Sequence, residues 1–261
     1  MRRGDRIVPV LLRAAPAIAV AAFLLLWELA CHALAIPPFL LPPPSSILKA
    51  LFGIEGGEWL VHIWATLRVT LAGFTAAIVI GLPLATAIAM SPLLSRTISP
   101  ILVAVQSTPI VAVAPIIVVS LGADDLPKIV IAFLITFFPI VISTAAGLIS
   151  TPPELIELSR SLKAGRRREI LQIRMPWAMP QIFDGLRIGI TLAVIGAVVA
   201  ELVAADQGLG YFISLSTALF KPAQAFAGLF VLLALSLGLF YALTIVQRVC
   251  FPWSLAARTG G

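Results

Sequence analysis

The sequence predicts an all-α, polytopic membrane protein with six transmembrane helices. Three observations carry that reading. The chain of 261 residues is 60% hydrophobic and only 11% charged, with a mean hydropathy of +1.08. Soluble chains average roughly half apolar and about a quarter charged. Six runs, near 14–36, 64–90, 98–121, 127–149, 186–205 and 225–247, are apolar over a length that can cross a hydrocarbon core, which takes roughly 20 residues. Charges and turn-formers collect between those runs. Lipid requires each backbone polar group to find its partner internally, and long uniform apolar runs meet that demand as helices rather than as a barrel.

The first run follows a basic start, Met1 to Arg6, and Ala33-Leu34-Ala35 has the small-residue pattern of a signal-peptidase site. The apolar stretch continues past Trp27, which favours a retained span. Glu28 lies within it. Next comes FLLPPPSSILKALF, Phe39 to Phe52. Three consecutive prolines cannot continue a helix. Ser45 or Ser46 is expected to cap a short helix over Ile47 to Phe52. That helix either lays its apolar face along the outer interface or serves as a stiff connector.

The second run begins near Arg68, which can snorkel to the interface, and contains Pro83. The third holds Gln106-Ser107-Thr108-Pro109 and then Pro115. A proline within a membrane helix frees carbonyls that hydroxyls, water or neighbouring helices must satisfy. Unwound segments beside polar side chains often line a pathway. Gln106, Ser107, Thr108 and Pro109 are therefore candidates for a translocation path, with an ordinary packed kink as the alternative. Pro139 in the fourth run raises the same choice. The fifth carries Glu201, a charge that costs about 2.5–3.5 kcal/mol at the centre of a bilayer. It reads either as a structural partner or as a path residue. AADQGLGY follows, where Gly208 and Gly210 permit a tight turn.

Lys and Arg set the orientation. With the N-terminus inside, fourteen basic residues face the cytoplasm: Arg2, Arg3, Arg6, Arg13, Arg96, Arg160, Lys163, Arg166, Arg167, Arg168, Arg174, Arg187, Arg248 and Arg258. Four face outward: Lys49, Arg68, Lys128 and Lys221. Both termini are expected in the cytoplasm. Cys31 and Cys250 are far apart, and His32 and His62 are too few to argue for a metal. No P-loop pattern is present, nor a hydrolase or metalloprotease motif. The residues thus point to neither an enzyme nor a cofactor of its own, and no nucleic-acid partner is expected.

The fourth and fifth runs are joined by a densely charged segment, ELIELSRSLKAGRRREILQIRMPWAMPQIFDGLRIG, from Glu154 to Gly189. Glu154 to Leu162 can form a short helix started by Pro152-Pro153, with Leu155, Leu158 and Leu162 along one face. The chain then turns near Lys163 to Gly165. A second short helix, Arg168 to Ile173, is expected to run toward Pro176. An apolar face flanked by charge suits a groove on a soluble partner. Topogenic decoration of a cytoplasmic loop is the alternative.

The spacing of this segment resembles the coupling loop of binding-protein-dependent ABC permeases: E-A-A, three residues, G, nine residues, I-x-L-P. Glu157-Leu158-Ser159 stands at E-A-A, Lys163 at the glycine, and Ile173-Arg174-Met175-Pro176 at I-x-L-P. Gly165 could supply the turn in place of Lys163. The stretches 62–74, 126–143 and 200–211 are similar to the nitrate, sulfonate and taurine branch of that family, while Ser120-Leu121-Gly122 departs from its usual W-F-G.

The resemblance implies a type I ABC importer permease in a single transmembrane domain, 1–261, that works as a homodimer in the bacterial inner membrane among its lipids. It implies two copies of an ABC ATPase, which use ATP and Mg, docking at 154–176. The docking residues would be Glu154, Glu157, Leu158, Ser159, Lys163, Gly165, Ile173, Met175 and Pro176. It also implies a solute-binding protein that holds most of the selectivity. The cargo would be sulfonate-, taurine- or nitrate-like, or a pyrimidine or riboflavin-like solute. The rival is a free-standing ion-coupled transporter or channel, which the lack of an intramembrane acidic network and of a duplicated half disfavours.

Overall fold

The computed structural model describes residues 4–122 and 124–256. Arg2, Arg3 and Arg258, counted above for orientation, lie outside that range, as do the chain ends. The described residues form twelve α-helices: α1 Gly4–Ala33, α2 Pro44–Gly53, α3 Gly56–Met90, α4 Pro92–Gln106, α5 Ile110–Leu121, α6 Asp125–Ile149, α7 Pro153–Ser161, α8 Arg166–Glu169, α9 Met175–Val203, α10 Leu209–Ala218, α11 Pro222–Cys250 and α12 Trp253–Ala256. A π-helical turn, Ile170–Arg174, joins α8 to α9. Five helices are long and apolar enough to cross a membrane: α1 over Ala15–Ala33, α3, α6, the continuous run Arg166–Val203, and α11.

The crossing expected at 98–121 is not one helix. α4 has 15 residues and α5 has 12, each short of the roughly 20 a span requires, and they meet at a bend of 90°. Pro109 causes the break. It has no N–H to give the helix, and it drives the preceding Thr108 out of helical geometry. Ser107 closes α4 by donating its hydroxyl to the Val103 carbonyl at 2.8 Å. Pro83 and Pro139, by contrast, sit inside unbroken helices. With the bent pair taken as one broken span, the chain crosses six times. The fifth crossing also begins earlier than the expected 186, because helix runs without interruption from the charged segment into α9.

The chain forms two compact units. The smaller comprises Met1–Trp59 with Phe212–Val231. Here the predicted serine cap of α2 is corrected: the helix starts at Pro44, with Pro43 in the cap position and no side-chain bond from it. Proline at the first helical position leaves no N–H to satisfy. The next N–H, of Ser45, donates to Glu28 Oε2 at 3.0 Å, and Ser45 Oγ donates to Glu28 Oε1 at 2.8 Å. A carboxylate from α1 thus does the work of a cap for α2. Trp59 secures the other end, donating its indole N–H to the Leu51 carbonyl at 3.1 Å. Its ring packs 4.9 Å from that of Phe212.

The larger unit comprises Leu60–Tyr211 with Leu232–Gly261. Its core is the pairing of α6 with α9. Between lipid-facing helices there is little hydrophobic gain from association, so close backbone approach through small residues supplies the attraction. α9 presents Gly185, Gly189, Ala193 and Gly196 at three- or four-residue spacing, which puts them on one face. A Cβ at Gly196 would lie 2.7 Å from the Ala132 Cα, and one at Gly185 would lie 2.7 Å from the Ser143 Cβ. Gly147 on α6 answers from the other side, where a Cβ would stand 2.9 Å from that of Gln181. Phe137, Ile140, Val141, Ile190 and Ala193 fill the same buried cluster.

Gly196→Ala forces backbone of α6 aside and should cost about 1–3 kcal/mol. Gly238→Ala on α11 meets nothing within 4 Å. It should leave stability unchanged or raise it by up to about 1 kcal/mol. Thermal unfolding of the detergent-purified variants separates the two.

Candidate functional site

The charged segment between α6 and α9 folds as a helix, a turn, a second short helix and a π-helical turn. α7 begins at Pro153, as the double proline requires, and displays Glu154, Glu157 and Leu158 to solvent, while Ser159 is buried beneath. Leu155, Leu158 and Leu162 are 37%, 57% and 74% exposed. Two leucines held out on a charged nine-residue helix, and a third, Leu162, at its C-cap, form an uncovered apolar surface of the kind that partners bury. Ile173, Met175 and Pro176 are half-buried and face the protein. Met175 packs against the α6–α9 core.

The turn is made at Lys163, not at Gly165. Lys163 has φ +54, whereas Gly165 is extended, with φ −67 and ψ 157. The Lys163 N–H donates to the Arg160 carbonyl at 2.9 Å and the Ala164 N–H to the Ser159 carbonyl at 3.0 Å. These are the two bonds of a Schellman cap, whose left-handed residue is usually glycine. The position where the related pattern carries glycine is thus the position that needs left-handed backbone, and here a lysine bears it.

Beyond the turn, basic residues that look alike in sequence have separate partners. Arg166 donates to the carbonyl of Met90, the last residue of α3. Arg174 donates Nη1 to the Leu148 carbonyl in the last turn of α6 at 3.2 Å, and Nε to Glu169 Oε1 at 2.9 Å. Glu169 is 6% exposed and also faces Arg160 of α7, with Nε 3.9 Å from Oε2. The second helix predicted at 168–173 is replaced by α8 and the π-helical turn, closed by the Met175 N–H on the Ile170 carbonyl. Residues 169 and 174 are five apart. On a regular α-helix, at 3.6 residues per turn, they would point about 140° apart. The wider π turn lets them meet.

The proposed path residues occupy the break between α4 and α5. Gln106, Ser107, Thr108 and Pro109 are all exposed there. Glu201 is elsewhere and 2% exposed. Its Oε1 accepts from the Thr66 hydroxyl at 2.8 Å and its Oε2 from the Gly210 N–H at 2.7 Å. The Leu209 N–H donates to Thr66 Oγ1 at 2.8 Å, and the Gly208 N–H to His62 Nδ1 at 3.2 Å. The accepting Nδ1 puts the ring proton of a neutral His62 on Nε2. Gly208 has φ +122, and a Cβ there would stand 2.3 Å from the Glu201 Cδ. The carboxylate is therefore the peg around which the 204–208 loop and the first turn of α10 are wound.

Glu169, Arg174, His62 and Thr66 escaped the sequence reading of the site. Five-residue spacing is no helical signal, and His62 and Thr66 become partners of the 208–210 backbone only through the fold.

Residues 73–253 match the family model for the binding-protein-dependent transport system inner membrane component. Among curated relatives, the chain is 32% identical to a formylaminopyrimidine transport permease protein of Halalkalibacterium halodurans, over 91% of this chain and 95% of that one. It is 35% identical to a riboflavin transport system permease protein of Chloroflexus aurantiacus, over 88% and 86%. It is 30% identical to the taurine transport system permease protein of Escherichia coli, over 90% and 87%. Among solved structures, a chain of the inward-facing MetNI methionine ABC transporter superposes with a TM-score of 0.65 at 22% identity, covering 75% of this chain and 98% of that one.

Left-handed backbone costs a non-glycine residue about 1–2 kcal/mol. Lys163→Gly should recover about 1 kcal/mol of this and raise the thermal midpoint, while β-branched Lys163→Val should lower it. Unfolding of the purified protein with each variant decides the point.

Proposed function

The chain belongs to the family of binding-protein-dependent transport system inner membrane components, and from that membership we propose how it is assembled and driven. It is a multi-pass inner-membrane permease subunit of an ABC importer. In our reading two copies pair to enclose the path, both termini lie in the cytoplasm, and membrane lipid surrounds the outer faces. Two copies of a separate ATPase dock at 154–176 and spend ATP with Mg; the permease carries no catalytic residue. A solute-binding protein delivers a small cargo to the opposite side.

The observation that supports this most is α7: a short charged helix, with its leucines uncovered, inserted between two closely packed spans. Such a face gives a soluble groove something to grip, and its continuity with the spans gives the grip something to move. Gln106, Ser107, Thr108 and Pro109 line the path at the α4–α5 break, where unwound backbone supplies polar groups. Glu201 serves the path indirectly by holding the 204–208 loop and the start of α10 in shape. The named relatives carry pyrimidine, flavin and sulfonate cargoes, so this permease takes a small polar solute of that range, taurine- or nitrate-like or a flat heterocycle.

The first test is a gentle pull-down of the tagged protein from its native membrane, with mass spectrometry. An ABC ATPase at near-equal amount is expected; its reproducible absence would bring the ion-coupled transporter forward. Glu157→Lys should leave insertion intact and reduce the recovered ATPase several-fold; wild-type recovery would remove Glu157 from the docking surface. Thr108→Phe should cut uptake of whichever of taurine, nitrate, riboflavin and formylaminopyrimidine the wild type accumulates, with assembly unchanged. Unaltered uptake would take the α4–α5 break out of the path.

A further inference from the structure

We propose that Glu169 and Arg174 are positioning residues that bind the docking helix to the ends of α6 and α9, so that the three move as one body. The inference rests on the reading of 154–176 as the ATPase-docking segment and adds the route by which displacement leaves it.

The linkage runs through three contacts. Arg160 on α7, its side chain 69% exposed, faces Glu169 at 3.9 Å, Glu169 is bonded to Arg174, and Arg174 holds the Leu148 carbonyl at the end of α6. Glu169 and Arg174 are shielded from water, with side chains 8% and 12% exposed, so their attraction is screened less than that of a surface pair. Arg174 is also the last residue of the π-helical turn that leads straight into α9. One guanidinium therefore joins the docking segment to both spans that flank it. Only arginine presents a planar fork able to serve a carboxylate and a carbonyl together.

The other flank is looser. Between the segment and α3 lies a cavity of about 570 Å³, lined by residues that include Met90, Leu94, Arg166 and Met175. Arg166 reaches along it to the Met90 carbonyl. The segment is thus clamped toward α6 and α9 and has room toward α3. π-helical turns of this kind recur at functional sites.

The experiment uses the intact complex with its co-purifying ATPase, with Cys31 and Cys250 replaced and spin labels at Ser161 and Ile149. Distances between the labels are measured without nucleotide and after trapping with ATP and vanadate. In the wild type the distribution should be narrow and the same in both states. Arg174→Met should retain the ATPase at wild-type ratio while the trapped-state distribution broadens and shifts, and Arg174→Lys, which keeps the charge, should fall between them. Glu169→Gln is read by the same criterion should Arg174→Met fail to accumulate. A trapped-state distribution as narrow in the Met or Gln variant as in the wild type overturns the clamp, as does a wild-type distance that changes on trapping. Loss of the docking reading itself shows separately, as no ATPase on the wild-type protein.

Discussion

Everything in the larger unit depends on how closely α6 and α9 approach each other. Where Gly196 meets Ala132 and Gly147 meets Ala178, the two helices approach with little side chain between them. In a lipid solvent, close packing of this kind must supply attraction that the hydrophobic effect does not. The charged segment is the connection between these same two helices. A partner that grips it addresses the most extensively packed helix pair among the described residues.

The fold class was legible because its cause is crude. Apolar runs of span length cannot be solvated, and charges must gather where water is, so composition and spacing already place the crossings near 64–90, 127–149 and 225–247. α7 was legible too, since Pro152-Pro153 marks its start and Leu155, Leu158 and Leu162 mark its face. The misreadings share a different character. Hydropathy sees Ile98 to Leu121 as one run, and Pro109 marks a kink or unwound turn within it without setting the 90° of the bend. The serine cap of α2 was displaced because Pro44 occupies the first helical position, and a glutamate from another helix answers the next N–H instead. The second coupling helix, expected to span only Arg168 to Ile173, instead continues past Pro176, which sits just beyond the π-helical turn in one helical run from Arg166 to Val203.

The site divides along the same line. Residues whose proposed role needs exposure, such as Glu157 and Leu158, can be found by pattern, because exposure on a short charged helix leaves a periodic trace. Residues that work through a partner leave none. Glu201 was conspicuous only as a carboxylate in the wrong solvent, and nothing local announces that Thr66 and the backbone of 208–210 will meet it. Lys163 lies between the two cases. Its backbone state is unusual for its side chain, and the mismatch with the related pattern was visible before its reason was.

The Glu201 peg also limits how this chain can drift. The carboxylate fills the space where a side chain at 208 would begin, and the loop and the first turn of α10 bring Gly208 and Gly210 to the same carboxylate. Neither partner can be enlarged alone. A lineage that gives up glycine at 208 must first shorten residue 201, and in doing so it loses the acceptor that holds the Gly210 N–H and the Thr66 hydroxyl. Single steps in either direction pass through a worse protein. The geometry thus ties any change at one of these positions to a change at the other.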